Sequence, residues 1–222
     1  FYKQMGVGIY ERVFEVGPVF RAEPHQTSRH INEYTSLDLE MGFIDSFQDV
    51  MAVEISVLRR CLEALKEGNG YQLDMLGASL PVIPEEVPSI TLDEAHAIFL
   101  EATGEDCTGE PDLSPEEEKV LCAHSSREWG SEVLFVTHFP TEKRPFYMQD
   151  DPERPGTTLS FDLLLRGLEV TTGGQRIHDY QMQVDKLREF GLDPDSFQGY
   201  LQAHKYGLPP HGGLAIGLER LT

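Results

Sequence analysis

Residues 12–23 read RVFEVGPVFRAE, a run of β-branched and aromatic residues that predicts a strand running into a polar loop around residues 24–29. The next run, 34–44, alternates strictly. Leu37, Leu39, Met41 and Phe43 fall on one face, and Tyr34, Ser36, Asp38 and Glu40 on the other. On a half-exposed strand that polar face is simply wet; on a central strand it is a functional floor. Ser46 opens a helix whose apolar stripe is Met51, Ile55, Leu58, Leu62 and Leu65, closed by Gly68.

Residues 71–130 read as an inserted helical subdomain. Thr91 with Glu94, and Ser114-Pro115 with Glu117, are capping-box starts, and the acidic run Glu116-Glu117-Glu118 is assigned to the helix dipole. A short apolar strand is predicted over 132–137 and a longer one over 157–172. Two helices follow, over 180–190 and 195–206, stopped by Gly191 and Gly207. A Gly-rich segment, 212–217, then leads into Leu218-Glu219-Arg220. The order predicts an α+β domain, a mostly antiparallel β-sheet flanked by helices.

Composition adds bounds. With 222 residues, 40% of them hydrophobic, the chain is long enough to bury one core. No apolar run approaches the roughly 20 residues that span a bilayer, and Phe1-Tyr2-Lys3 does not open a signal peptide, so no membrane partner and a cytoplasmic location are expected. The three cysteines, Cys61, Cys107 and Cys122, are far apart and form no CxxC pair, which argues against a disulfide framework and a structural zinc. The net charge of −20 changes the picture more. Modules that wrap nucleic acid are usually basic, so this balance argues against an RNA partner unless the RNA-gripping surface lies outside this stretch or the source is adapted to salt. The abrupt first and last residues lead to the expectation that the chain is a fragment.

Arg21-Ala22-Glu23 ends a strand, and Arg21 and Glu23 share strand parity, so both can point at one ligand; read alone, a cross-strand ion pair fits as well. The continuation FRAEPHQTSRHINEYTSLDLEMGFI puts Arg29, His30 and Glu33 in a polar loop, with Tyr34 and Asp38 on the polar face of the returning strand. This string closely resembles motif 2 of the class II aminoacyl-tRNA synthetases in their aspartyl form, of archaeal and eukaryotic type. YKQM resembles the family's SPQxxKQ segment, FDLLLRGLEVTTGGQRIHD its strand of metal and aspartate ligands, and YGLPPHGGLAIGLERL its motif 3.

The blocks stand in family order. The resemblance therefore implies that 1–222 is a partial class II catalytic core, with motif 2 at about 12–44 and motif 3 at about 207–222. It implies activation of L-aspartate with ATP and Mg2+, then transfer to the 3′ end of tRNA(Asp), with tRNA(Asn) open as a second acceptor, by a homodimer in the full-length protein. Arg21 would bind the α-phosphate, Glu23 the adenine side of ATP, and Arg29 and His30 would lie in the ATP-binding loop. Tyr34 would stack on adenine, Arg220 would hold its other face and the γ-phosphate, and Gly212, Gly213 and Gly217 would let the backbone approach ATP. Arg21 and Arg220 are the expected catalytic pair. Glu169 and Thr172 match the magnesium ligands.

Lys3 and Arg176 match the pair that reads the aspartate side chain. Ser36 and Asp38 would line its ammonium side, assisted by Asp162, and His211 would shape the pocket. Motif 1, the anticodon-binding barrel and the stretch after motif 3 are not visible in this sequence. The alternatives are an asparaginyl enzyme, an asparagine synthetase that passes the same adenylate to ammonia, and a non-catalytic relative that serves as a binding module. TSLDLE, and HD after QRI, favour the aspartyl form over the asparaginyl one.

Overall fold

In the computed structural model, residues 1–22 and 31–222 are described. The β-branched run and the alternating run form β1 (Arg12–Phe20) and β2 (Glu33–Gly42), paired antiparallel with Glu15 opposite Asp38. They open a seven-stranded sheet completed by β3 (Ser89–Thr91), β4 (Val133–Thr137), β5 (Ser160–Leu165), β6 (Leu168–Arg176) and β7 (His211–Gly217). The order is β1-β2-β7-β6-β5-β4-β3, and only the β3–β4 pair is parallel. The mostly antiparallel sheet with flanking helices is thus the one expected.

Three local expectations change. The strand expected over 157–172 is two strands, because the chain reverses at Arg166-Gly167, both at positive φ (49° and 84°), as a tight hairpin turn requires. Gly167 was the only turn signal inside an otherwise apolar run. The Gly-rich stretch is itself a strand, β7, in the middle of the sheet. A Cβ at Gly213 would strike the Glu40 carboxylate and the Leu39 carbonyl, so glycine here serves close strand packing. Phe43 does not continue the apolar face of β2. It follows the end of the strand at φ 58° and is exposed.

Helix α2 (Phe47–Gly68) starts with a capping box, Ser46 with Asp49. Its Val50, Met51, Ile55 and Leu58 pack against Phe135, Phe161, Leu163, Leu214 and Ile216 on one sheet face. The stripe fades beyond Leu58: Leu62 is half-buried and Leu65 exposed. After α3 (Gly70–Leu76), α4 (Leu92–Thr103) and α5 (Pro115–Glu128) begin with the expected boxes at Thr91/Glu94 and Ser114/Glu117. They bury Ala95, Leu121 and Cys122 against Leu134, Val136 and Leu164. Leu134 and Val136 alternate with Val133 and Phe135 of the first cluster, so this second core lies on the opposite sheet face. Segment 71–130 thus contributes the parallel edge strand β3 as well as helices.

The remaining helices are α1 (Tyr2–Tyr10), α6 (Tyr180–Glu189), α7 (Gln198–Lys205) and the short α8 (Leu218–Leu221). A 3-10 turn, Pro194–Phe197, precedes α7, and Gly191 and Gly207 carry the positive φ that ends each helical stretch. Among the described residues no helix is long and apolar enough to cross a membrane.

Candidate active site

Strand register lays out the polar floor. Asp38 pairs with Ala215, Ala215 with Thr172 and Thr172 with Asp162, one row across four strands. The next row is Glu40, Gly213, Gly174 and Ser160. Polar side chains thus flank a centre of alanine and glycine, which leaves a trough where larger residues would fill it. Leu37, Leu39, Leu214 and Ile216 take the opposite face with α2, as the alternation in β2 requires.

At one end of the trough is a cavity of about 240 Å³ lined by Arg21, Tyr34, Ser36, Thr172, Gly217 and Arg220, among others. Arg21 follows β1, its N–H donates to the Asn32 carbonyl at 2.8 Å, and its guanidinium lies 5.5 Å from the centre of the Tyr34 ring. Arg220 sits on α8. Its Nη1 donates to the Glu169 carbonyl at 2.9 Å and stands 3.5 Å from the Glu169 carboxylate. The neighbouring Glu219 accepts the Thr35 N–H at 2.8 and 3.0 Å and so ties α8 to β2. Gly217 closes β7, and a Cβ there would meet nothing within 4 Å. Gly212 is different: its Cβ would strike the Gly174 carbonyl of β6 and crowd Ile44 and Val50, so it serves close strand packing under α2.

Glu169 and Thr172 are three residues apart, a spacing that on a regular strand points them to opposite faces. A β-bulge changes this. Leu163 pairs with Thr171 and Leu164 with Glu169, so Val170 is left over. Both side chains then line the cavity, and the Thr172 hydroxyl donates to Glu169 Oε1 at 2.9 Å. A carboxylate and a hydroxyl oxygen side by side suit a hard cation whose other ligands are phosphate and water. Among the described residues no group of three or more His, Cys, Asp or Glu could hold a metal on its own.

At the other end, two cations approach one carboxylate. Arg176 Nε lies 2.7 Å from Glu40 Oε1, and Lys3 Nζ lies 3.9 Å from Glu40 Oε2. Lys3, on α1, also pairs with Asp38 at 2.7 Å and donates to the Leu214 carbonyl at 2.9 Å. Glu40 is fully buried, and burial pushes its pKa up against the pull of Arg176 and Lys3. The Arg176 guanidinium stacks 4.4 Å from the Tyr147 ring centre. His211, opposite Arg176 in the register, is buried with its pKa lowered to about 3, first by burial and then by Arg176, so it is neutral at pH 7. Its Nδ1 faces the Pro209 carbonyl at 3.0 Å, which can only accept, so the proton sits there and Nε2 is bare.

Asp162 is brought beside Thr172, three strand spacings (roughly 14 Å) from Asp38. Its Oδ2 accepts from Arg144 at 2.9 Å, and burial raises its pKa to about 7 against that pairing. Glu23, Arg29 and His30 lie outside the described residues.

Four contributors were not singled out from sequence. Glu40 was legible as part of the alternating polar face. Arg144 and Tyr147 sit in the stretch 138–159, which holds no strand and only one short 3-10 turn and carried no sequence signal. Glu118, which lies in the first turn of α5 with its neighbours as the dipole assignment requires, also accepts the Glu169 N–H at 2.9 Å, while Glu117 pairs with buried His96 at 2.9 Å.

Comparison with known proteins places this geometry. The family profile described as tRNA synthetases class II (D, K and N) matches residues 1–222. The chain is 51% identical over 221 residues to the aspartate–tRNA(Asp/Asn) ligase of Thermus thermophilus, covering 100% of this chain and 51% of that protein. It is 47% identical to the aspartate–tRNA(Asp/Asn) ligase of Aeropyrum pernix, again covering 100% of this chain and 51% of the relative. Among solved structures, aspartyl tRNA synthetase from Entamoeba histolytica superposes with a TM-score of 0.92 at 32% identity, over 99% of this chain and 46% of that one. Asparaginyl-tRNA synthetase from Pyrococcus horikoshii, complexed with asparaginyl-adenylate, gives 0.89 at 30% identity, over 99% of this chain and 50% of that one. The chain spans about half the length of the curated relatives it matches. With a matching profile along its whole length, an antiparallel sheet and a trough between two arginines, the chain belongs to the class II tRNA synthetases of the D, K and N group.

Proposed function

We propose that the protein activates L-aspartate with ATP and transfers it to the 3′ end of tRNA(Asp), with tRNA(Asn) as the second acceptor to be tested. The names of the relatives support the reaction class. The observation that carries the choice of amino acid is the convergence of Lys3 and Arg176 on one buried carboxylate position. Both cations keep donors beyond those given to Glu40 and Asp38, and a carboxylate accepts from both of them where the NH2 of an amide cannot.

In this reading the aspartate side chain joins Glu40 between Lys3 and Arg176. Ser36 and Asp38 face the ammonium group and neutral His211 shapes the wall, whereas Asp162, three strand spacings from Asp38 and bound to Arg144, takes no part in holding it. ATP takes the cavity end, with adenine stacked between Tyr34 and Arg220 and the triphosphate held by Arg21 and Arg220. Glu23, Arg29 and His30 complete the ATP site. Gly217 leaves room for the nucleotide. Glu169 and Thr172 would hold Mg2+, which would offset the negative charge of the phosphates. The α-carboxylate of aspartate attacks the α-phosphorus in line, and the bond to pyrophosphate breaks. Little proton transfer is needed, so alignment and charge neutralisation by Arg21 supply the rate.

The reading also includes a reducing cytoplasm, supported by three free cysteines. It includes a homodimer too, supported by the exposed apolar row Phe14, Val16 and Phe20 on edge strand β1.

The test supplies the full-length protein with ATP, magnesium, ammonia, labelled aspartate and total tRNA. Label is expected in a ribonuclease-sensitive product, and purified tRNAs then report discrimination. Label released as free asparagine, or none transferred, overturns the reading.

A further inference from the structure

The bulge that turns Glu169 towards Thr172 is held from outside the sheet at both backbone groups of Glu169. Its carbonyl accepts Arg220 Nη1 from α8 at 2.9 Å, and its N–H donates to the Glu118 carboxylate from α5 at 2.9 Å. A bulge disrupts the ladder locally, and a half-buried N–H left without an acceptor carries a cost. Glu118 answers that need with a charge-assisted bond.

Its position is not what the helix dipole alone would select. Glu116, one residue away from Glu117 in the same first turn, is exposed to water, whereas Glu118 is only 5% exposed. Burying a carboxylate is unfavourable unless it is hydrogen-bonded, so this side chain has been moved out of water towards β6. The approach of α5 is itself specific. The Lys119 stem lies 3.0 Å from where a Cβ on Gly167 would stand, so glycine in the β5–β6 turn lets the helix close on the strand.

We propose that Glu118 is a positioning residue for the metal-binding end of the site. By taking the Glu169 N–H it fixes the bulge in the register that presents Glu169 and Thr172 as a pair. Segment 71–130 is thereby coupled to phosphate binding without touching ATP. The inference rests on Glu169 as a magnesium ligand, so the experiment tests both.

The near-isosteric Glu118→Met keeps helix propensity and volume but has no acceptor, and Glu118→Gln restores one. Mn2+ binding to the full-length protein is followed by electron paramagnetic resonance with a non-hydrolysable ATP analogue, and Glu169 amide exchange by hydrogen–deuterium mass spectrometry. Glu118→Met is expected to weaken Mn2+ by about tenfold, the scale seen when an outer partner of a metal ligand is lost. It should also expose the Glu169 amide to exchange and leave the KM for aspartate unchanged. Glu118→Gln should restore Mn2+ affinity and protection together. Normal Mn2+ affinity in Glu118→Met, while Glu169→Gln weakens it, overturns the role of Glu118. Equal weakening by Met and Gln overturns it as well, since charge rather than the acceptor would then matter. Unchanged Mn2+ affinity in Glu169→Gln overturns the ligand reading itself.

Discussion

Arg176 meets its surroundings on three sides: Glu40 at 2.7 Å, the Tyr147 ring at 4.4 Å and His211 as its strand neighbour. Such a guanidinium is held still before any ligand arrives, and its planar fork suits a second carboxylate. Arg176→Ala should therefore raise the KM for aspartate at least about a hundredfold, in line with a loss of 3–5 kcal/mol when one partner of a buried pair is removed. The KM for ATP should move far less. Pyrophosphate exchange at varied aspartate and ATP checks this, and equal rises would remove Arg176 from amino-acid recognition. Residues of this kind were legible because each stands inside a recognisable string with a chemical reason for its charge. Glu40 was seen on the polar face of its strand but not given a role, since nothing local says that an alternating glutamate will be buried. Arg144 and Tyr147 were not legible: their partners Asp162 and Arg176 lie 18 and 29 positions away, in strands whose contacts exist only after the sheet has formed.

Elements were legible where a periodic pattern had a cap, as in α2, α4 and α5, and illegible where backbone contact set the residue type. Gly213 is the clearest case. In sequence it belongs to a turn-like run; in the sheet it lies between Glu40 and Gly174, with no room for a Cβ beside the Leu39 carbonyl. Because that carbonyl is part of the β2–β7 pair, relief requires the two strands to separate. Gly213→Ala should then cost about 3 kcal/mol or more, at or above the upper end of ordinary overpacking, and lower the melting temperature by several degrees. Gly217→Ala is the control, since a Cβ there meets nothing within 4 Å. It should melt within a degree or two of the parent and act, where it acts, on the KM for ATP. If both variants melt alike, the steric account of β7 fails. The bulge in β6 is equally hidden in sequence: Glu169 and Thr172 at a spacing of three look like opposite faces until Val170 is left out of the pairing.

For the molecule as a whole, folding sorts the acidic side chains of the described residues, most of them into water and a few into the interior. Glu40 and Asp162 are buried beside Arg176 and Arg144. Glu54, on the sheet side of α2, is only 1% exposed, and among the described residues no cation pairs with it. Burial raises its pKa from 4.5 to about 8, opposed only in part by the Thr171 hydroxyl, so it is largely protonated at neutral pH. The sign of the linkage follows from proton counts. Between pH 4.5 and about 8 the folded state holds a proton that the unfolded chain has released, so stability falls as pH rises through that window. Above about 8 the charged, desolvated carboxylate costs its full penalty, on the order of a few kcal/mol by the conversion of one pKa unit to about 1.4 kcal/mol. For a chain of this size that corresponds to a drop of roughly 5–15 °C in melting temperature between pH 6 and pH 9. Other groups titrate in the same range, so the decisive comparison is Glu54→Gln, which keeps the shape and polarity without the titrating proton. The variant should lose most of the alkaline decline while matching the parent near pH 5 to 6. Melting curves at fixed ionic strength across that range make the comparison, because screening of the −20 net charge would otherwise add its own salt-dependent trend. Parallel curves for parent and variant would mean that Glu54 is solvated in the folded state, and that α2 does not seal this face of the sheet.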